Sequence, residues 1–173
     1  MQFFEVIKAR RSIRRFTAQP VSEDHLHQVL EAACLAPSAG NLQAFQIYVV
    51  KDPAIRHQLD VASGDQGAIS QAPLVLVFCA VPSRSSVKYG ARGEQLFCLQ
   101  DATIACAYAQ LAATALGLAT VWVGAVHEPE VVKEALHLQA DVWPVAFLPI
   151  GYPAETPSRK TRRPLTDLIR KLS

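Results

Sequence analysis

Side chains arranged as catalysts are missing from this sequence. The five histidines (His25, His27, His57, His127, His137) are scattered, with no HExxH and no histidine–cysteine grouping. No GxSxG elbow appears, nor a pair of acids placed for acid–base work. These gaps argue against zinc hydrolases, serine hydrolases and glycosidases. There is no Walker-type lysine loop and no GxGxxG turn, which disfavours nucleoside triphosphates and dinucleotide-fold cofactors. The four cysteines (Cys34, Cys79, Cys98, Cys106) form no CxxC pair and have apolar neighbours. They read as buried free thiols of a reducing cytosol, with neither disulfide nor metal. The amino terminus lacks the cationic lead and apolar run of a signal peptide. Charge is absent from Ala102 to Val126, long enough to span a bilayer. That stretch is mostly Ala, Thr and Gln, has no cation at either edge and is split by Gly117, so no membrane span is expected.

What the chain does have is charge of one sign at its two ends. Of seventeen Lys and Arg residues, eleven lie in Lys8–Arg15 or in Arg159–Lys171. Residues 16–158 hold six cations and thirteen carboxylates, a net of −7 inside a chain of +2. Unpaired cations repel, so two such clusters predict one anion site closed by both ends of the chain. With half its residues hydrophobic, the chain is expected to form one domain over residues 1–173. Ser22 predicts a helix cap, and Asp52-Pro53 a second helix towards Val61. Strands are predicted at Phe45–Val50, Leu74–Ala80, Thr120–Val126 and Val145–Ile150, with helices at Pro129–Leu136 and Thr166–Leu172. The mixture is an α+β class. Cys98–Leu116, with fourteen apolar residues in nineteen, predicts a helix that needs cover on every side, some of it from a second subunit.

Three segments carry binding chemistry. In Arg10-Arg11-Ser12-Ile13-Arg14-Arg15-Phe16, Ile13 and Phe16 anchor the backbone while Arg10, Ser12 and Arg14 alternate outward. Guanidinium forks and a hydroxyl on one side match phosphate oxygens. A solvated basic patch or a nucleic-acid contact is the rival reading. In Ala36-Pro37-Ser38-Ala39-Gly40-Asn41-Leu42-Gln43, a tight loop offers backbone groups and neutral hydrogen bonds that suit a planar heteroaromatic, or is simply a turn. Gly124, inside a predicted strand, marks close approach of a ligand or a packing need. Phosphate grips and amide readers without an acid, base or nucleophile imply that a bound cofactor does the chemistry.

The succession RRSIRRF, APSAGNLQ, KYGARG…QDATIACAYAQLAATALGLATVWVGA and PIGYP…RKTRRPL resembles the nitroreductase family of flavin enzymes, over essentially the whole chain. The resemblance implies a nitroreductase-like α+β fold: a central, mostly antiparallel sheet flanked by helices, in a domain-exchanged homodimer with two FMN sites at the subunit interface. Arg10 and Ser12 match phosphate-binding residues, with Arg11 alongside, and Arg14 matches a cation at the pyrimidine edge of the flavin. Pro37, Ser38 and Asn41 match a loop reaching the flavin from the other subunit, with Gln43 close by. Val123 and Gly124 match the strand facing flavin N5. Lys160 and Arg162 match tail cations that close on the phosphate, Arg163 being the alternative under a one-residue shift. Tyr89, Gly90 and Arg92 fall in a lid segment that touches substrate. The implied activity is FMN-dependent transfer from NAD(P)H to a nitroaromatic, quinone or similar acceptor in two half-reactions, without nucleic acid, membrane or metal, in the cytoplasm. Reductive dehalogenation or flavin fragmentation is the alternative on the same fold. Many larger family members carry an acid where Val123 stands and an inserted helical lid; this sequence has neither.

Overall fold

A computed structural model describes residues 1–157 and 160–172. At its centre is β2 (Leu74–Ala80), whose seven residues are all buried. Leu74, Leu76, Phe78 and Ala80 enter one core; Val75, Val77 and Cys79 enter another. A continuous apolar run is what a strand covered on both faces requires. β1 (Phe45–Val50) flanks it on one side, β4 (Trp143–Gly151) on the other, and β3 (Ala119–Thr120) lies beyond β4. The order is β1-β2-β4-β3, antiparallel throughout. The first core packs β2 against α2 (Glu23–Cys34) and the long α6 (Cys98–Ala115). The second packs it against α3 (Pro53–Ala62), α4 (Ala68–Gln71) and α7 (Pro129–Ala135).

Helix starts follow their caps. Ser22 Oγ accepts the His25 N–H at 3.2 Å, and Asp52 Oδ1 accepts the Ala54 and Ile55 N–H groups at 2.7 and 3.3 Å. The third strand is shorter than the expected Thr120–Val126. Ala119 pairs with Gly151 and Thr120 with Ile150, and Val123 pairs with Phe147 in the same register. Between them Val121 lies opposite Pro149, which has no N–H to give, so the ladder is interrupted there. The terminal helix is also shorter, covering Leu165–Leu168 (α8) in place of Thr166–Leu172. Leu168 and Leu172 are 64% and 97% exposed, so no core supports further turns. Helices α1 (Phe3–Ala9) and α5 (Pro82–Arg92), and a π-helical turn at Gly93–Phe97, have no counterpart in the sequence expectations.

The helical run Pro82–Ala115 is long and apolar enough, by length and composition, to cross a membrane. In the fold its last half is a core helix. Cys98, Asp101, Ala102, Ala105, Cys106, Ala109 and Ala113 of α6 are buried. The opposite side leaves Tyr108 exposed and Ile104 and Leu111 half-buried. Gly117 ends the helix at φ +78°. At Gly93 an added Cβ would lie 2.5 Å from the Ser85 carbonyl oxygen, a backbone atom that cannot swing aside. Gly93→Ala is therefore expected to cost about 1–3 kcal/mol of stability, read as a lowered denaturation midpoint.

All four cysteines are free, but Cys34 is exposed, contrary to expectation. Its sequence neighbours are apolar, yet its position on α2 turns it away from the face that buries Leu26, Val29 and Ala33. Burial pushes the Cys79 thiol up to about 12 and raises those of Cys98 and Cys106 as well. The expected thiol titration at neutral pH is one fast equivalent per chain, lost in Cys34→Ser, with the rest reacting only after denaturation.

Candidate functional site

The two ends of the chain are tied together by backbone. Segment 12–17 runs between β3 and the chain leaving β4. The Ile13 N–H donates to Thr120 O at 2.9 Å, the Thr17 N–H to Tyr152 O at 2.9 Å, and the Ala154 N–H to Arg15 O at 2.9 Å. Phe16 pairs antiparallel with Pro153. Glu155 adds a side-chain tie, its Oε1 accepting the Arg14 N–H at 2.5 Å and the Arg15 N–H at 3.2 Å. Ile13 is buried and Phe16 half-buried, as expected of apolar anchors.

This pairing creates a cleft of about 380 Å³ lined by Arg10, Arg11, Ser12 and Arg14 from the head and Lys160 and Arg162 from the tail. Arg162 lines it and Arg163 does not; Arg159 lies outside the described residues. Lys8 is a further lining cation that the motif comparison left out. No carboxylate is among the described lining residues. Burial, then the charges of Arg162 and Arg11, hold the Arg10 guanidinium below its ordinary proton affinity. Such a collection of cations is relieved by a bound anion. Arg11 has a second task, because its Nη1 donates to the carbonyls of Lys8 and Arg10 at 2.6 and 2.7 Å, at the end of α1.

Loop 37–43 forms a separate group. Gly40, Asn41 and Gln43 have left-handed backbone, at φ 57°, 58° and 48°. Ser38 Oγ accepts the Gln43 N–H at 3.0 Å, and Arg84 Nη1 donates to Gln43 O at 2.6 Å. The loop hangs from Asp101, a residue only 2% exposed, whose carboxylate accepts the Ala39 N–H at 2.9 Å and the Ala44 N–H at 3.2 Å. The end of α5 covers the loop so closely that a Cβ on Gly40 would fall 2.5 Å from the Tyr89 hydroxyl. Tyr89 meets Phe97 edge-on at 5.1 Å, and the Arg92 guanidinium lies 5.5 Å from the Phe97 ring centre. Gly90, at φ 54° and ψ −142°, breaks the helix between them. Pro37 and Ser38 line a second hollow with Phe97, Gln100 and Ile104.

Within one chain the two groups line different hollows. The structure thus unites Arg10, Arg11, Ser12, Arg14, Lys160 and Arg162, and separately gathers Pro37, Ser38, Asn41 and Gln43 near Tyr89, Gly90 and Arg92. Val123 stands apart from both. Its N–H donates to Phe147 O at 3.0 Å and its carbonyl accepts the Phe147 N–H at 2.9 Å, so both backbone groups belong to the sheet. Gly124, next in sequence, is exposed. Sequence reasoning missed Glu155 and Asp101 as organisers. The one usable signal was that Asp101 is the single charge in an otherwise apolar helix.

Comparison with known proteins is consistent across sequence and structure. The chain is 36% identical to the FMN reductase [NAD(P)H] of Bacillus subtilis, covering 92% of this chain and 70% of that protein. It is 32% identical to the oxygen-insensitive NADPH nitroreductase of Salmonella typhimurium, covering 92% and 69%. The structure of NfrA2 from B. megaterium superposes with a TM-score of 0.93 at 33% identity, over 100% of this chain and 75% of that one. The NADPH:FMN oxidoreductase from Vibrio harveyi, complexed with NAD+, superposes at 0.90 with 28% identity, over 98% and 76%. The pattern that defines the Nitroreductase family matches residues 7–71 and 60–152, most of the chain. By sequence and by fold, the chain belongs to the nitroreductase family.

Proposed function

We propose that this chain is an FMN-dependent oxidoreductase that takes electrons from NAD(P)H and passes them to a nitroaromatic, quinone or similarly electron-poor acceptor in two half-reactions. The observation that carries this reading is the cationic cleft closed by both chain ends, with Arg10 set against Arg162 and no lining carboxylate among the described residues. Relatives named as FMN reductases and NAD(P)H nitroreductases supply the activity class.

The donor set fits a phosphate monoester. Arg10, Arg162 and Lys160 would hold its charge, Ser12 would add a hydroxyl donor, and Arg11 would contribute the N–H groups not turned towards α1. Each charge-assisted hydrogen bond is worth about 1.5–3 kcal/mol, enough for several together to retain a mononucleotide. Arg14, an exposed lining cation of the head, would stabilise negative charge at the pyrimidine edge of the flavin. FMN, when bound, supplies the reversible two-electron centre that this chain's own side chains lack.

The second group completes the site from a partner. In this reading two chains form a domain-exchanged homodimer, and loop 37–43 of each meets the cleft of the other. Pro37, Ser38, Asn41 and Gln43 would face the heteroaromatic edge, with the exposed Gly124 backbone beneath it. Val123 would act through its sheet pairing. Tyr89, Gly90 and Arg92 would border the acceptor. Support comes from the separation of the two groups within one chain and from the open apolar side of α6 at Ile104, Tyr108 and Leu111. The tail apolar residues Leu165, Leu168, Ile169 and Leu172, all at least half-exposed, add a surface that a second chain would cover. A cytoplasmic setting suits four free thiols.

The test is purification followed by an absorbance scan and a mass measurement. A yellow protein of twice 18.9 kDa that oxidises NAD(P)H in the presence of a nitrofuran or quinone is expected. A colourless protein that takes up no FMN on reconstitution would end the reading.

A further inference from the structure

Glu155 holds backbone, and the backbone it holds lies on the other end of the chain. Its Oε1 accepts two successive N–H groups, from Arg14 at 2.5 Å and from Arg15 at 3.2 Å, 141 and 140 residues away. Consecutive N–H groups converging on one oxygen form a small anion-binding fork. Here the anion belongs to the protein.

The consequence is orientation. A fork of this kind needs two successive N–H groups on the same side, so the backbone at Arg14 and Arg15 bends away from the alternating extended form, and that bend sets where each side chain points. Arg14 lines the cleft, whereas Arg15 is not among its lining residues. Freeing the two N–H groups would release that bend and with it the direction of Arg14. The neighbouring ties are few: Thr17 to Tyr152, Ala154 to Arg15, and the Phe16–Pro153 pair, in which Pro153 has no N–H to donate. At the arginine end, Glu155 supplies the terminal clamp.

We infer that Glu155 is a positioning residue: its carboxylate locks the head against the tail and so determines that Arg14, and not Arg15, faces the bound cofactor. This rests on the FMN reading above. Its own content is separable, because a lock and a charge act on the flavin's reduction potential with opposite signs. If Glu155 acted only through its negative charge, removing it would raise the potential in Glu155→Ala and Glu155→Gln alike. A lock predicts a fall in Glu155→Ala, as Arg14 strays, and little change in Glu155→Gln, which keeps an oxygen acceptor in place.

The experiment is a spectroelectrochemical titration of the FMN-loaded protein in five forms: wild type, Arg14→Ala, Arg15→Ala, Glu155→Ala and Glu155→Gln. Arg14→Ala is expected to lower the potential by about 30 mV, a tenfold change in relative affinity for the two flavin oxidation states. Glu155→Ala should fall comparably, while Glu155→Gln and Arg15→Ala stay near wild type. Should Glu155→Ala not fold, Glu155→Asp takes its place, keeping the charge but drawing the carboxylate back by one methylene; it should show the same fall. The inference is overturned if the alanine or aspartate variant keeps the wild-type potential, if removing the carboxylate raises it, or if Arg15→Ala matches Arg14→Ala. A wild-type protein that binds no FMN overturns this inference and the functional reading together; a wild-type holoprotein with an unresponsive Glu155 variant overturns this inference alone.

Discussion

Replacing Arg10 and Arg162 together with alanine is expected to weaken FMN binding by about a thousandfold and leave the protein folded. Two charge-assisted contacts are lost, each worth about 1.5–3 kcal/mol, and every 1.4 kcal/mol or so is tenfold in affinity. Riboflavin, which lacks the phosphate, should bind the variant nearly as well as wild type. The ratio of the two dissociation constants therefore isolates the phosphate share. Stability of the apoprotein should not fall, because the two guanidiniums oppose one another and the Arg10 proton affinity is already lowered by burial and by Arg162. Each single substitution should cost less than half the double, because one cation remains to hold the anion. Added salt should weaken FMN and spare riboflavin in wild type, and the double variant should show less of that dependence, with Lys8, Arg11, Arg14 and Lys160 still lining the cleft. If the double variant purifies with its full flavin complement, the phosphate lies elsewhere.

Asp101→Ala is expected to destabilise the chain by about 3 kcal/mol. The carboxylate is the partner of two N–H groups, at Ala39 and at the fully buried Ala44, and each buried donor left unpaired costs about 1–3 kcal/mol. For a chain of this length, 1 kcal/mol moves Tm by about 2–4 °C, so a fall of about 10 °C is the measurable outcome. Asp101→Asn should recover little, since its amide turns a donor towards one of the two N–H groups. Hydrogen exchange at Ala44 should accelerate in both variants, reporting that the loop has come loose from α6. An unchanged Tm in Asp101→Ala would show that the loop is held by its own turn geometry and by Arg84.

How much was legible in the chain depended on whether the determinant was local. β1 and β2 were read to the residue because their apolar patterns are set by what each residue faces, and β2 is covered on both sides. The Ser22 and Asp52 caps were read equally well, since a cap acts within one turn. The third strand was misjudged because the residue that interrupts it, Pro149, is remote in sequence and adjacent only in the sheet. Cys34 was misjudged because apolar sequence neighbours do not reveal which side of a helix meets the core. Helix α5, rich in Ser, Lys and Arg, has little apolar face to announce it; it runs on through the π turn at Gly93–Phe97 into α6.

For the candidate site the division is sharper. Uneven charge was enough to foretell that the cationic ends meet, because unpaired like charges are costly without an anion between them. Side-chain type was likewise enough to say that the chemistry has to be borrowed from a cofactor. Which arginines line the cleft, and which acids tie distant stretches of backbone together, came from the path of the backbone. Glu155 and Asp101 act on N–H groups that every residue but proline possesses, so their partners leave no mark in the order of amino acids. Only folding brings residues 14 and 155, or 39 and 101, within hydrogen-bonding distance.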